Sequence, residues 1–293
     1  MKGDETLLYS WLFIPGNKEK HLQKAYQLNA DALIFDLEDA VPSTEKEKAR
    51  KHVVQTIQKL DNKNNFIRVN ELASDYFLDD LEKMIIPNVN GVVLPKVNNR
   101  GDIAIADYLI GKFERKNGLK NGAISIVPII ETAEGIHKAL EIAQASTRIK
   151  RLAFGAEDFM LDLNIYPDES ESELLYARSQ LVVASREARI EPPIDSIYTE
   201  FRDEDGLKTA TERGKRFGFR GKLLIHPDQI ETVNNIFVPT TKEIAEAKKI
   251  VQAYEEAIRV GQGAIQVDGK MIDVPIYERA KKMLKHHEKR TLK

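Results

Sequence analysis

From residue 10 to about residue 238, short apolar runs alternate with polar segments of helical period. The runs fall near residues 10–14, 32–36, 65–70, 91–95, 124–130, 151–155, 193–195 and 223–225, and helical patterns such as 18–28, 44–60 and 170–190 lie between them. That alternation predicts βα units around a parallel sheet. Eight such units in about 235 residues match the size of a (β/α)8 TIM barrel, which takes roughly 250. The seventh run, "PPIDSIY", carries two prolines, which cannot donate to a sheet, so a doubly wound sheet stands as the alternative architecture. Past residue 238 the rhythm stops. A long helical stretch at 241–260 leads into the Gly-rich "GQGAIQVDGKMID", a hairpin or mobile flap, and a last basic helix from about 275. The expected division is a barrel domain over 1–238 and a C-terminal helical extension with a flap over 239–293.

Composition narrows the function by exclusion. At 42% hydrophobic residues the chain can bury a full core, and a formal net charge of −2 lacks the basic signature of nucleic-acid binding. Without cysteine there is no disulfide, thiolate metal site or cysteine nucleophile. The opening "MKGDETLLYS" carries acids where a leader would carry bases, and no apolar run approaches the roughly 18 residues of a membrane span. A cytoplasmic protein with no nucleic-acid or membrane partner is expected.

In such a barrel the reactive groups stand where the strands end. The second run ends in Asp36, Glu38 and Asp39, the third in Arg68 and Asn70, the fourth in Lys96 and the fifth in Glu131. The sixth ends in Glu157 and Asp158, the seventh in Asp195 and Ser196, and the eighth in His226. Any one acid can be a helix cap, Glu131 and Asp39 among them. Caps do not account for a rim that also holds Arg68, Lys96, Glu131 and His226. Several acids with few bases in one cleft call for a divalent cation, and oxygen donors without cysteine suit Mg2+. Glu131 and Asp158, on neighbouring strands, are the natural direct pair. Arg68 offers a planar fork to a substrate carboxylate. The turn "LFIPGNKEK" offers an anion the amides after Pro15 and Gly16, with Lys18 and Lys20 adding charge. There is no Gly-rich nucleotide motif, and His21, His52 and His137 fall within helical patterns.

The ordered motifs "SWLFIPGNKEKHLQKA", "ADALIFDLEDAVP", "RVN", "GVVLPKV", "PIIETAEGI", "AFGAEDF", "KLLIHPDQI" and "GAIQVDGKMIDVP" resemble the citrate lyase β-subunit family of the HpcH/HpaI aldolase/citrate lyase group, with its malyl-CoA and citramalyl-CoA lyases. The resemblance covers nearly the whole chain. It implies a (β/α)8 barrel and a Mg2+-dependent carbon–carbon lyase that splits or forms a β-hydroxyacyl-CoA, with acetyl-CoA and a 2-oxo acid as partners. By the same resemblance Glu131 and Asp158 bind Mg2+, Arg68 holds the oxo-acid carboxylate, and Asp36 sits beside the metal's waters. Asp273, in "MID", is the acid/base carried on a flap that completes a neighbouring subunit's site in a homotrimer or hexamer. The alternatives are the β-subunit of a citrate lyase complex working with an acyl carrier protein, a malyl-CoA thioesterase, and an idle barrel that binds CoA or a partner. One position departs: many relatives carry arginine two residues before the Trp11 position, where this chain has Tyr9. Lys18 or Lys20 are the charges that could replace it.

Overall fold

The structure, a computed structural model, describes residues 8–60, 64–166, 168 and 170–291. Most of the N-terminal stretch weighed as a possible leader lies outside the described residues. Among the described residues, seven parallel strands form one sheet: β1 (Ser10–Pro15), β2 (Ala32–Asp36), β3 (Asn65–Arg68), β4 (Gly91–Leu94), β5 (Ser125–Ile130), β6 (Ala153–Phe154) and β7 (Lys222–Leu224). Their order is β6-β5-β4-β3-β2-β1-β7, with a helical segment between each strand and the next in the chain. One face packs Trp11, Ile34, Phe66, Val93, Val127, Ile129 and Leu223 into a single cluster. The alternate residues Leu33, Phe35, Ile67, Ile126 and Leu224 are equally buried. Burial on both faces is why these strands read as continuous apolar runs.

The strand expected at 193–195 is not one. Ile194 pairs with Ala153 and Asp195 with Lys222, both in parallel sense, as isolated bridges. Phe154 N–H donates to the Ile194 carbonyl and Leu223 N–H to the Asp195 carbonyl, each at 2.9 Å. Pro192 and Pro193 have no N–H, so pairing cannot extend backward into a regular strand. The bridge is held from the side by charge: Arg178 Nε lies 3.2 Å from Asp195 Oδ1, and Lys222 Nζ donates to the Ser196 carbonyl at 2.8 Å and lies 3.4 Å from Asp195 Oδ2.

A second compact unit begins at Asn235. Its long helix Thr241–Arg259 starts with a capping box in which Thr240 and Glu243 satisfy each other's backbone N–H. An antiparallel hairpin follows, β8 (Ile265–Val267) and β9 (Lys270–Ile272). Its two turn residues, Asp268 at φ +51° and Gly269 at φ +78°, are both left-handed, the requirement of the tight turn that matches strand twist. The helix Val274–Thr291 then packs back on Thr241–Arg259 through Tyr254, Ile272 and Tyr277, with the two tyrosine rings stacked at 4.9 Å.

Candidate active site

Strand register assembles the first half of the site. Pro15 pairs with Asp36 and Asp36 with Arg68, so the last residues of three adjacent strands lie in one row. Residues level in a parallel sheet point to the same face, which puts the Asp36 carboxylate against the Arg68 guanidinium. The contact is bidentate, Nε to Oδ1 at 2.7 Å and Nη2 to Oδ2 at 2.6 Å. Arg68 Nη1 reaches Glu38 Oε2 at 3.0 Å and Asp39 Oδ2 at 3.1 Å, and the guanidinium lies 4.6 Å from the Phe13 ring centre. Burial works against the guanidinium charge, but Asp36 overrides it and holds Arg68 above its already high range. Asp36 is 1% exposed and also accepts the N–H groups of Glu38 and Ala40. The fork of Arg68 is therefore already occupied by the chain's own aspartate, and Asp36 is engaged by Arg68 and backbone amides. What Arg68 can offer a ligand is its other edge, where the partner Asp39 is 64% exposed.

Glu38 is buried and faces two cations, Arg68 and, at 4.0 Å, Lys96. Burial nevertheless dominates over the pull of Arg68, and Asp39 and Asp36 add repulsion, so its carboxyl is pushed up to about 7.

The second half gathers around Glu131, directly after β5 and 4% exposed. It is not a cap: the helix Ala133–His137 is capped by Thr132, which accepts from Gly135 N–H. Glu131 Oε1 accepts the backbone N–H of Lys96 at 2.6 Å. A Cβ on Gly155 would sit 2.3 Å from the other Glu131 oxygen, Oε2, so only glycine leaves the carboxylate its place. Asp158 comes from the first turn of helix Ala156–Leu163. Burial and then the charge of Asp158 push Glu131 up to about 8. Among the described residues, no side-chain cation forms an ion pair with either carboxylate.

The other expected residues are placed differently. Gly16 N–H donates to the Asp36 carbonyl at 2.9 Å and Lys18 N–H to the Pro15 carbonyl at 3.1 Å, so these amides hold the turn. Lys18 and Lys20 are exposed and touch none of the rim acids. Tyr9 lies at the foot of β1, where its N–H donates to Asp31, so the position of the relatives' arginine is at the strand end away from Arg68. His226 stacks on Phe201 at 4.9 Å. Asp273 belongs to the second unit, where it follows β9 and its Oδ1 accepts Ile276 N–H at 3.3 Å.

A buried polar chain beneath the rim was not anticipated. Lys46 Nζ donates to the Leu37 and Glu38 carbonyls at 2.7 and 2.8 Å and to Asn70 Oδ1 at 2.6 Å. Asn70 in turn donates to Asp80, which takes Arg50 Nε at 2.6 Å. Lys46 and Arg50 share the buried face of their helix with Ala49, Val53 and Ile57, and cations on an apolar helical stripe are the signal that could have found them. Beside this chain opens a polar cleft of about 270 Å3 lined by Glu38, Asp39, Lys46, Asn70, Glu71 and Lys96.

The HpcH/HpaI aldolase/citrate lyase family model matches residues 9–227. The chain belongs to this family. Among its relatives, the citrate lyase subunit beta of Haemophilus influenzae is 38% identical, covering 94% of this chain and 95% of its own length. A (3S)-malyl-CoA thioesterase of Cereibacter sphaeroides is 36% identical over 90% of this chain and 89% of its own. The mitochondrial citramalyl-CoA lyase of Homo sapiens is 31% identical over 92% and 82%. In three dimensions the chain is similar to the CitE protein of Mycobacterium tuberculosis in complex with magnesium, acetoacetate and coenzyme A, with a TM-score of 0.80, 25% identity, and 97% and 99% of the two chains covered. The relatives of this chain thus include proteins named as lyases and one named as a thioesterase.

Proposed function

We propose that the protein is a Mg2+-dependent carbon–carbon lyase that cleaves, or forms, a β-hydroxyacyl-CoA such as citramalyl-CoA or malyl-CoA, with acetyl-CoA and a 2-oxo acid on the other side of the reaction. The observation that carries this is Glu131: a carboxyl buried beside a second carboxylate, with no side-chain cation paired to either. A divalent cation removes that cost. Among the described residues no group of three or more His, Asp or Glu stands close enough to hold a metal. An ion such as Mg2+ needs no such group, because it takes one or two protein carboxylates and completes its octahedron with water and substrate oxygens. Glu131 and Asp158 would hold it. The magnesium in the similar CitE complex supports the same choice.

Bound there, Mg2+ would act as a Lewis acid toward the hydroxyl and carboxylate oxygens of the substrate. The chain's own groups do the rest. Asp36 fixes the plane of Arg68, and the Nη edge of Arg68 receives the substrate carboxylate by displacing Asp39, whose exposed ion pair is worth about 1 kcal/mol or less. In cleavage the hydroxyl proton is lost to solvent, the oxygen closes to the carbonyl of the 2-oxo acid as the carbon–carbon bond breaks, and the electron pair of that bond passes to the thioester as an enolate. Asp273 protonates that enolate carbon, and in condensation removes the acetyl proton. The thioester runs out past Pro15, Gly16, Lys18 and Lys20.

On this reading the seven strands and the Ile194–Asp195 bridge make a (β/α)8 barrel that ends at residue 238. Residues 239–293 are an extension whose hairpin flap carries Asp273 into a neighbouring subunit of a cytoplasmic homotrimer or hexamer. The identity to citrate lyase β-subunits favours one second reading, a citryl thioester of an acyl carrier protein as substrate. Mass spectrometry of products from citramalyl-CoA, malyl-CoA and citryl-CoA, with Mg2+ and with chelator, tests both. Acetyl-CoA plus a 2-oxo acid, formed only with Mg2+, is expected. Free CoA plus the intact hydroxy acid would show a thioesterase instead.

A further inference from the structure

Lys96 stands where the two halves of the site meet, and its backbone is unusual. It follows β4 at φ +52°, in the left-handed region that side-chain-bearing residues seldom adopt. Such conformations persist where surrounding structure enforces them, and they cluster at functional sites. At this turn the N–H of Lys96 donates to Glu131 Oε1 at 2.6 Å, while the other oxygen of the carboxylate, Oε2, occupies the space kept open by Gly155. The side chain turns the other way. Nζ lies 3.6 Å from Glu71 Oε1 and 4.0 Å from Glu38 Oε1, and Glu38 is on Arg68. One residue therefore touches the carboxylate of the cation half through its backbone and the acids of the Arg68 half through its ammonium.

We infer that Lys96 is a positioning residue with two separable functions: its left-handed amide sets the Glu131 carboxylate for a divalent cation, and its ammonium balances the Glu38 and Glu71 charges beside Arg68. The inference rests on the metal assignment proposed above and adds the group that orients the ligand. Hydrogen bonds behind a metal ligand govern affinity, and losing one typically costs about 10–100-fold in metal binding.

Two substitutions separate the functions. Lys96→Gly removes the ammonium but accepts φ +52° without strain. Lys96→Val also removes the ammonium, and its β-branched side chain resists that conformation. Mg2+ affinity is read by calorimetry on the whole protein, with thermal melting in chelator as the check on folding. Lys96→Gly is expected to bind Mg2+ within about twofold of wild type, and Lys96→Val at least about tenfold more weakly while still melting cooperatively. If Lys96→Val binds as tightly as Lys96→Gly, or if Lys96→Gly alone loses affinity tenfold, the amide function is wrong. Should Lys96→Val fail to fold, Gly155→Ala gives the same readout at the other oxygen: its Cβ displaces Glu131, and undiminished Mg2+ binding would refute a fixed carboxylate. Wild type that binds no Mg2+ would instead overturn the metal assignment itself. The ammonium function is read in condensation, where Lys96→Gly should raise the KM for the 2-oxo acid several-fold with kcat little changed. An unchanged KM would remove it.

Discussion

At the scale of single residues, Arg68 is defined by what already holds it. Three of the chain's carboxylates surround one guanidinium, and only the contact with Asp39 is exposed enough to be exchanged cheaply. A lysine has no fork for Asp36 and no second edge for a substrate, so Arg68→Lys should lower kcat/KM about a hundredfold, on the order of 3 kcal/mol, in steady-state kinetics. Glu38 provides a pH test. Its carboxyl is raised from the ordinary range to about 7, so the folded state binds its proton more tightly than the unfolded chain does. The stability it contributes is complete below the ordinary carboxylate range and is lost as pH rises through about 7. The urea midpoint of wild type should therefore fall more between pH 5 and pH 8 than that of Glu38→Gln.

At the scale of elements, the seventh position of the sheet is a two-residue bridge braced by Arg178 and Lys222 on Asp195. Lys222 and Asp195 are each 1% exposed, and removing one member of a buried pair strands the other. Asp195→Asn should cost about 3 kcal/mol in urea unfolding. This element also shows what the sequence could and could not disclose. Seven apolar runs became strands because burial on both faces leaves a continuous apolar signature. The remaining run, the seventh, was ambiguous in sequence for the same reason it is irregular in structure, its two prolines. The rim acids and Arg68 were legible as ionisable groups at the ends of those runs. Their partnerships were not: that Asp36 takes the fork of Arg68 follows from strand register, and that the Lys96 N–H meets Glu131 follows from the path of the backbone after β4, which no residue type announces. Lys46 and Arg50 lie within the helical pattern 44–60, and only their place on its apolar stripe marks them as buried.

At the scale of the whole molecule, the family match covers residues 9–227, while Asp273 lies in the unit that begins at Asn235. If Asp273 acts in a neighbouring subunit, then a protein lacking Asp273 and a protein lacking Glu131 each keep what the other has lost. Mixed and reassembled, Asp273→Ala and Glu131→Ala should recover a substantial fraction of wild-type turnover, although each alone is inactive. No recovery in verified mixed oligomers would place Asp273 in its own subunit's site or outside catalysis.

The most direct measurement is acetyl-CoA release from citramalyl-CoA or malyl-CoA by wild type and Glu131→Ala across a Mg2+ titration, with circular dichroism confirming that both are folded. Wild type should show saturable Mg2+-dependent cleavage that chelator abolishes, and folded Glu131→Ala should show none at any Mg2+ concentration. Cleavage by wild type that persists in chelator, or by Glu131→Ala at the wild-type rate, would contradict the assignment of a cation-dependent lyase to this site.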